Sequence, residues 1–344
     1  MISYVLFAFI GNLHMTTHAY HQSQWLTRID RFIFSILDGS LTDAEMYRFL
    51  IQTIPCLTCD KNSPSWSYAP SITLFADLVA PIQAEYRAGQ PMTALLSAAK
   101  IRQIKRDILA SADLLHQDIQ TFRQRQLDHA KALQTYMCQL FSHYNRLLLL
   151  RIDLGLQQAQ YPHLTMQDLS DYLNLLRNRF ANKDRVFEHL QGYVWAIEEG
   201  VQKGPHAHLL LLFDGNKHQD DYGLACKIRS YWAELTTGHG TLFSCNEKEY
   251  KAKMQQLGIL GIGMIERTDQ QAIFKAIHAA EYLTCADKYL QRIKGSPANM
   301  RSFGKGQFKN SKRREMKQTL EAAQQLEQAY ECSGVSRPLA IRPG

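Results

Sequence analysis

The stretch GYVWAIEEGVQKGPHAHLLLLFDG, residues 192–215, constrains the fold more than any other part of the chain. Two apolar runs, YVWAIEEG and PHAHLLLLFDG, are joined by a hairpin-length loop with glycine at both ends, which predicts a pair of antiparallel strands. Side chains alternate across a strand, so His206 and His208 share a face. Two imidazoles side by side are a usual start for a metal site. Glu198 lies near the end of the partner strand, where hairpin pairing sets it across from the histidines as a third ligand. Glu199 points to the opposite face unless a bulge before the loop exchanges the two. Tyr193, Trp195 and Ile197 form the other face, which favours Glu198. Two nitrogens and one oxygen leave positions open for water or a phosphate oxygen, so the site suits Lewis-acid chemistry on a phosphodiester. The nitrogen ligands favour Mn²⁺ or a similar ion, and abundant Mg²⁺ is the other candidate.

The flanking sequence places this hairpin in an α+β domain. RLLLLRIDLG is a short apolar run closing on Gly155 and suits a buried strand. A helix follows, with Thr165 as N-cap and Asp168 at the box position. After the hairpin come a helix over DDYGLACKIRSYWAELT and two more strands, GTLFSC and GILGIGMIE. Thr268 then caps a helix running to about Ile293, with Gln271 completing a capping box. From residue 146 to 293 the order is therefore β-α-β-β-α-β-β-α, an antiparallel sheet covered by helices. Residues 1–144 read as a mainly helical region, with a capping box at Thr42 and Glu45 and one or two long amphipathic helices from Met92 to Tyr144. Residues 145–293 form the sheet domain, and residues 294–344 read as a basic tail with a C-terminal helix near 315–331.

The formal net charge is +7, and much of the excess lies between Lys294 and Lys317. Arg301, Lys305, Lys309, Lys312, Arg313 and Arg314 would attract a polyanion, with nucleic acid the first candidate and a solvated tail the alternative. Phe303 and Phe308 are interleaved with these cations and offer surfaces for unstacked bases. The seven cysteines do not look like a disulfide framework, and the C-x-x-C of Cys56 and Cys59 lacks two further ligands for zinc. Reduced thiols suit the cytoplasm. The apolar N-terminus, MISYVLFAFIGNLHM, is too short to span a bilayer, so no membrane anchor is expected. It is either a short buried segment or sequence upstream of a true start at Met15.

A nucleophile for the hairpin site is offered by EYLTCADKYL. Tyr282 and Tyr289 are two helical turns apart, so one continuous helix would turn both hydroxyls to the same side. Packing on an amphipathic helix is the competing reading. The long hairpin segment, the Tyr231–Trp232 pair, EYLTCADKYL and MRSFGKGQ together resemble the inovirus replication-protein family, also called the YagK/YfjJ C-terminal domain family. The resemblance covers roughly residues 145–310. That family is similar to the HUH endonucleases, which nick one DNA strand to start rolling-circle replication.

The resemblance implies that His206 and His208 are the metal pair and that Tyr282 forms a 5′-phosphotyrosine, freeing a 3′-hydroxyl. It implies single-stranded DNA or an origin hairpin as partner, host replication proteins as further candidates, and a prophage protein working in the bacterial cytoplasm. In one respect the chain departs from the pattern. The family commonly has lysine three residues after the tyrosine, where this chain has Cys285, so either Lys288 substitutes or the enzyme is slower. Two further readings stay open: a DNA-binding regulator of prophage replication that no longer cleaves, and a metal-dependent hydrolase that uses activated water.

Overall fold

The computed structural model describes residues 22–57, 65–157, 161, 164–200, 204–308 and 316–333. The apolar N-terminal stretch, Cys59, and the cations Lys309, Lys312, Arg313 and Arg314 lie outside the described residues. No helix among those described is long and apolar enough to cross a membrane.

The chain opens with α1 (Gln22–Leu37), α2 (Asp43–Thr53), β1 (Trp66–Tyr68), α3 (Pro70–Arg87), α4 (Met92–Leu95), α5 (Ala98–Ala110) and α6 (Ala112–His143). The capping box is formed as expected: Glu45 N donates to Thr42 Oγ1 at 3.3 Å, while Thr42 N donates to Glu45 Oε2 at 2.9 Å. These helices bury a core of their own, including Ile29, Phe32, Phe75, Val79 and Ile104. Helix α6 outruns that core. Its first turns contribute Leu115 there, and its last turns place Leu133, Tyr136, Met137, Leu140 and Phe141 on the central sheet.

That sheet is built from β2 (Arg146–Leu156), α7 (Met166–Asn182), β3 (Leu190–Gly200), β4 (Gly204–Asp214), α8 (Asp221–Leu235), β5 (Gly240–Ser244), α9 (Lys248–Gln256), β6 (Gly263–Glu266) and α10 (Gln270–Glu281), with their connections. The last described elements are β7 (Gly295–Pro297), β8 (Phe303–Lys305) and α11 (Met316–Cys332). All pairings are antiparallel, in the order β5-β2-β4-β3-β8, with β6 on the other half of the β2 edge. The architecture is α+β.

Both faces of the sheet are covered, which is why its central strands read as unbroken leucine runs. Leu148, Leu150, Leu209, Leu211 and Trp195 face α7 and α8. Leu147, Leu149, Leu210, Leu212 and Val194 face α6, α10 and α11. Parity along each strand thus sorts one sequence into two cores.

Three expectations need correction. A short helix, α9, separates the last two strands of the sheet domain, which are consecutive in the sequence-based order; its charged KEYKAKMQQ lies mostly on the surface. The helix expected from Thr268 to about Ile293 is capped by Asp269, whose side chain accepts from Ala272 N at 2.9 Å, and it ends at Glu281. Thr284 Oγ1 donates to Glu281 O at 3.1 Å, a local bond that competes with the helical ladder, and two 3₁₀ turns, Tyr282–Thr284 and Ala286–Gln291, follow. Finally, the segment after residue 294 does not begin as a solvated tail. Lys294 is 1 % exposed and β8 extends the sheet by pairing with β3.

Candidate metal centre

Strand register explains how the site forms. On the face toward α6 and α10, β2 runs Leu147, Leu149, Arg151, Asp153, while β4 runs Leu212, Leu210, His208, His206. Asp153 pairs with His208 across β2 and β4, and Glu198 pairs with His206 across β3 and β4. Each of the three strands therefore changes from apolar to ionisable side chains toward one end of the sheet. There the helical cover gives way to the 3₁₀ turn that carries Tyr282.

Glu198, His206 and His208 converge, with one ligand atom from each lying within 4.8 Å of the other two. His208 Nε2 is 3.2 Å from Glu198 Oε2, and His206 Nε2 is 3.9 Å from the same oxygen. Neighbouring ligands at about 2.1 Å from a common ion stand about 3.0–3.4 Å apart in octahedral or tetrahedral sites, so modest side-chain adjustment suffices. Glu199 takes no part. It points to the opposite side, where its Oε2 accepts from Lys294 N at 2.8 Å, and burial raises its pKa to about 7.

The hydrogen bonds around the cluster prepare it for a cation. His206 Nδ1 lies 3.0 Å from Gly204 O; a carbonyl only accepts, so Nδ1 carries the hydrogen and Nε2 keeps its lone pair when the ring is neutral. Burial, followed by the neighbouring His208, pushes the His206 pKa down to about 4, so the ring is neutral at pH 7. His208 Nδ1 lies 2.5 Å from Asp153 Oδ1, a carboxylate–histidine pair of the kind that fixes a metal ligand's tautomer. Burial works against a charge on His208, yet Asp153 and Glu198 on either side raise its pKa. When His208 is protonated, its Nε2 hydrogen points at Glu198 Oε2, the place a metal ion would take. Burial also opposes ionisation of Glu198, but His208 and Lys288 hold its carboxyl far below the ordinary range. The donor set, its orientation and its charge all fit a divalent cation.

Tyr282 stands next to this cluster. Its ring meets the His208 ring edge-to-face at 6.2 Å, with Lys288 Nζ 3.5 Å from the ring centroid and the Arg151 guanidinium carbon at 4.4 Å. Burial raises the phenol pKa to about 12 despite Arg151. Lys288 is buried too; its ammonium donates to Glu198 Oε1 at 2.8 Å, and burial lowers its pKa. Cys285 is partly exposed and lines a cavity of about 330 Å³ that also touches Glu198, Lys288, Arg292 and, on α6, Phe122 and Arg125.

Other predicted site residues lie elsewhere. Tyr289 does not share a helix face with Tyr282, because the helix has ended, and its ring packs under Arg123 at 5.6 Å. Arg301 is exposed, and Lys305 lies 4.8 Å over the ring of Tyr136. Phe303 stacks on His129 at 4.3 Å, and Phe308 meets His143 edge-on, so both rings are packing residues rather than free platforms. Sequence reasoning missed two site residues, Arg151 and Asp153. A signal for them exists: two charges at alternate positions in an otherwise apolar strand must share a face.

Comparison with the curated proteins and with the solved structures gives no match. The family model of the YagK/YfjJ C-terminal domain matches residues 114–306, which is more than half of the chain and takes in nearly all of α6, the whole sheet and the Tyr282 turn. The chain belongs to the YagK/YfjJ C-terminal domain family.

Proposed function

We propose that this protein is an HUH-type, inovirus-like replication initiator that nicks single-stranded DNA through Tyr282. The carrying observation is the position of that tyrosine, ring against ring with His208 beside a buried Glu-His-His cluster. In this reading the phenol oxygen attacks a phosphodiester, the bond to the 3′-oxygen breaks, and a 5′-phosphotyrosine and a free 3′-hydroxyl result. A divalent ion, Mg²⁺ or Mn²⁺, held by Glu198, His206 and His208 would supply Lewis-acid polarisation of the phosphate. The chain's own residues prepare the rest. Asp153 and the Gly204 carbonyl orient the two imidazoles. Lys288 and Arg151 place positive charge on the Tyr282 ring, favouring the phenolate that must form. Lys288 stands in for the lysine that Cys285 replaces, reaching the same tyrosine from one turn further on. The substrate is a single strand or an origin hairpin, and the setting is prophage replication in the bacterial cytoplasm.

A second reading, a DNA-binding regulator that does not cleave, is favoured by Cys285 and by the phenol pKa of about 12, well above neutrality. Incubation with single-stranded DNA and Mn²⁺, followed by a denaturing gel, separates the two. A detergent-resistant protein–DNA adduct that persists in Tyr289→Phe and vanishes in Tyr282→Phe is the expected result. Binding without an adduct at any metal concentration would favour the regulator, and cleavage without an adduct would favour a hydrolase.

A further inference from the structure

Arg151 is 7 % exposed and projects from β2 onto the same face as Asp153 and the histidine pair. Its guanidinium lies against the Tyr282 ring, and its Nε is buried with no hydrogen-bond partner. Among the described residues no carboxylate forms an ion pair with it. Asp153, two residues away, spends Oδ1 on His208, and its Oδ2 is likewise buried without a partner. Arg292, buried to a similar degree, shows how such a charge is ordinarily satisfied. Its Nη1 and Nη2 donate to Asp30 at 2.9 and 2.8 Å, and its Nε donates to Asp118 at 3.2 Å.

Asp153 offsets the charge of the guanidinium without accepting from it, so the buried Nε hydrogen lacks an acceptor, and an unpaired buried donor of this kind calls for an acceptor that arrives from outside. The local charge count points the same way. Arg151 and Lys288 balance Asp153 and Glu198, and a divalent ion on the cluster would leave a positive surplus beside Tyr282. A phosphodiester, with one negative charge spread over two non-bridging oxygens, matches both that surplus and the donor fork of an arginine. The geometry points to Arg151 as the anchor of an oxyanion site that receives a non-bridging oxygen of the scissile phosphodiester. The identity of that anion rests on the nicking function proposed above. Arg151 would thus supply a positive contact that Cys285 does not.

The test uses the full-length protein with arginine labelled in ¹⁵N, titrated with the dinucleotide dTpdT and with its neutral methylphosphonate analogue. The Arg151 Nε–H resonance is identified by its loss in Arg151→Lys. dTpdT is expected to move that resonance, and the analogue to move it several-fold less. A resonance unmoved by dTpdT, or moved equally by both probes, overturns the anion site. This readout needs no cleavage and stands on the wild-type protein should Arg151→Gln fail to fold. Where an adduct forms, Arg151→Gln is expected to slow it about 100-fold on a phosphodiester strand. On a strand with methylphosphonate at the nicked position, the variant should fall within about threefold of the wild type, because the two losses share one contact. Losses that multiply would overturn the proposal. If dTpdT moves the resonance but no strand yields an adduct, the nicking function fails and the anion site stands. If an adduct forms while the resonance stays unmoved, the anion site fails and the nicking function stands.

Discussion

Replacing Asp153 isolates what the carboxylate behind His208 contributes. Asp153 Oδ1 sits 2.5 Å from His208 Nδ1, on the side of the ring away from Glu198. Loss of such a partner typically weakens a metal site by about 10–100-fold, or about 1.4–2.8 kcal/mol. Asp153→Asn keeps an oxygen that can accept the Nδ1 hydrogen and removes only the charge, so it belongs near the lower end. Asp153→Ala removes orientation as well and belongs near the upper end. The proton adds a further signature. Asp153 and Glu198 raise the His208 pKa, so at low pH the wild type must expel a tightly held proton to bind metal, whereas Asp153→Asn holds that proton less firmly. The gap in Mn²⁺ affinity between wild type and Asp153→Asn should therefore widen as pH rises from about 6.5 to 8.5. Calorimetric titration of Mn²⁺ into the full chain measures it. An affinity within twofold of wild type at the highest pH, or a gap that narrows with pH, would refute the reasoning.

Other expectations follow from the same geometry. Arg292→Ala strands Asp30, which is buried and accepts two of its hydrogen bonds, and should cost about 3–5 kcal/mol in urea unfolding. A cost below about 1 kcal/mol would show that the network is not what holds the helical region to the site. In metal-free protein the pairing of protonated His208 contributes stability that is fully present below the ordinary histidine value of about 6.5. That stability is lost as pH rises through the higher folded value, so unfolding in chelator should show a decline toward alkaline pH that His208→Gln flattens. Replacing Lys309, Lys312, Arg313 and Arg314 with alanine should make the salt dependence of single-stranded DNA binding shallower by about 0.7 per lost phosphate contact. An unchanged slope would mark the segment as solvated surface.

Strand parity makes the metal cluster legible before any coordinates. The glycine-bracketed loop fixes the pairing of β3 with β4, and from that pairing Glu198 rather than Glu199 falls beside His206. Apolar periodicity and caps locate most elements for the same reason: they are local. The Tyr282 turn is not legible, because nothing in EYLTCADKYL breaks a helix by composition. Beside the local Thr284 bond to Glu281 O, what favours ending α10 is tertiary, namely the burial of Tyr282, Leu283 and Thr284 together with the demands of Lys288 and Arg292 for distant carboxylates. The packing of Phe303 and Phe308 is hidden for a related reason. Cations surround them in sequence, but β8 joins the sheet edge and presents Phe303 to α6.

Adjacent glutamates at the end of β3 serve two separate ionic systems, and this explains how the helical region meets the site. Glu198 faces the histidines and takes Lys288. Glu199, one residue on and pointing the other way, takes the backbone of Lys294. Between those two lysines lies Arg292, held by Asp30 from α1 and Asp118 from α6, while Asp30 also accepts from Ser71 of α3 at 2.6 Å. The segment from Tyr282 to Lys294 is therefore fastened twice, to the metal cluster by Lys288 and by Arg292 to α1 and α6, with α3 joined through Asp30. Substitutions in α1 or α3 that free Arg292 should reach Tyr282 through that short segment, without touching a metal ligand. Asp30→Asn, which keeps the side-chain size and removes the charge, is the mildest such change. It should lower DNA adduct formation while leaving Mn²⁺ affinity within about threefold of wild type, because sheet pairing braces the ligand strands and the segment bonds to the ligands through Lys288 on Glu198 Oε1, while the histidines meet Oε2. A parallel fall in metal affinity would mean that the helical region supports the cluster itself rather than the tyrosine.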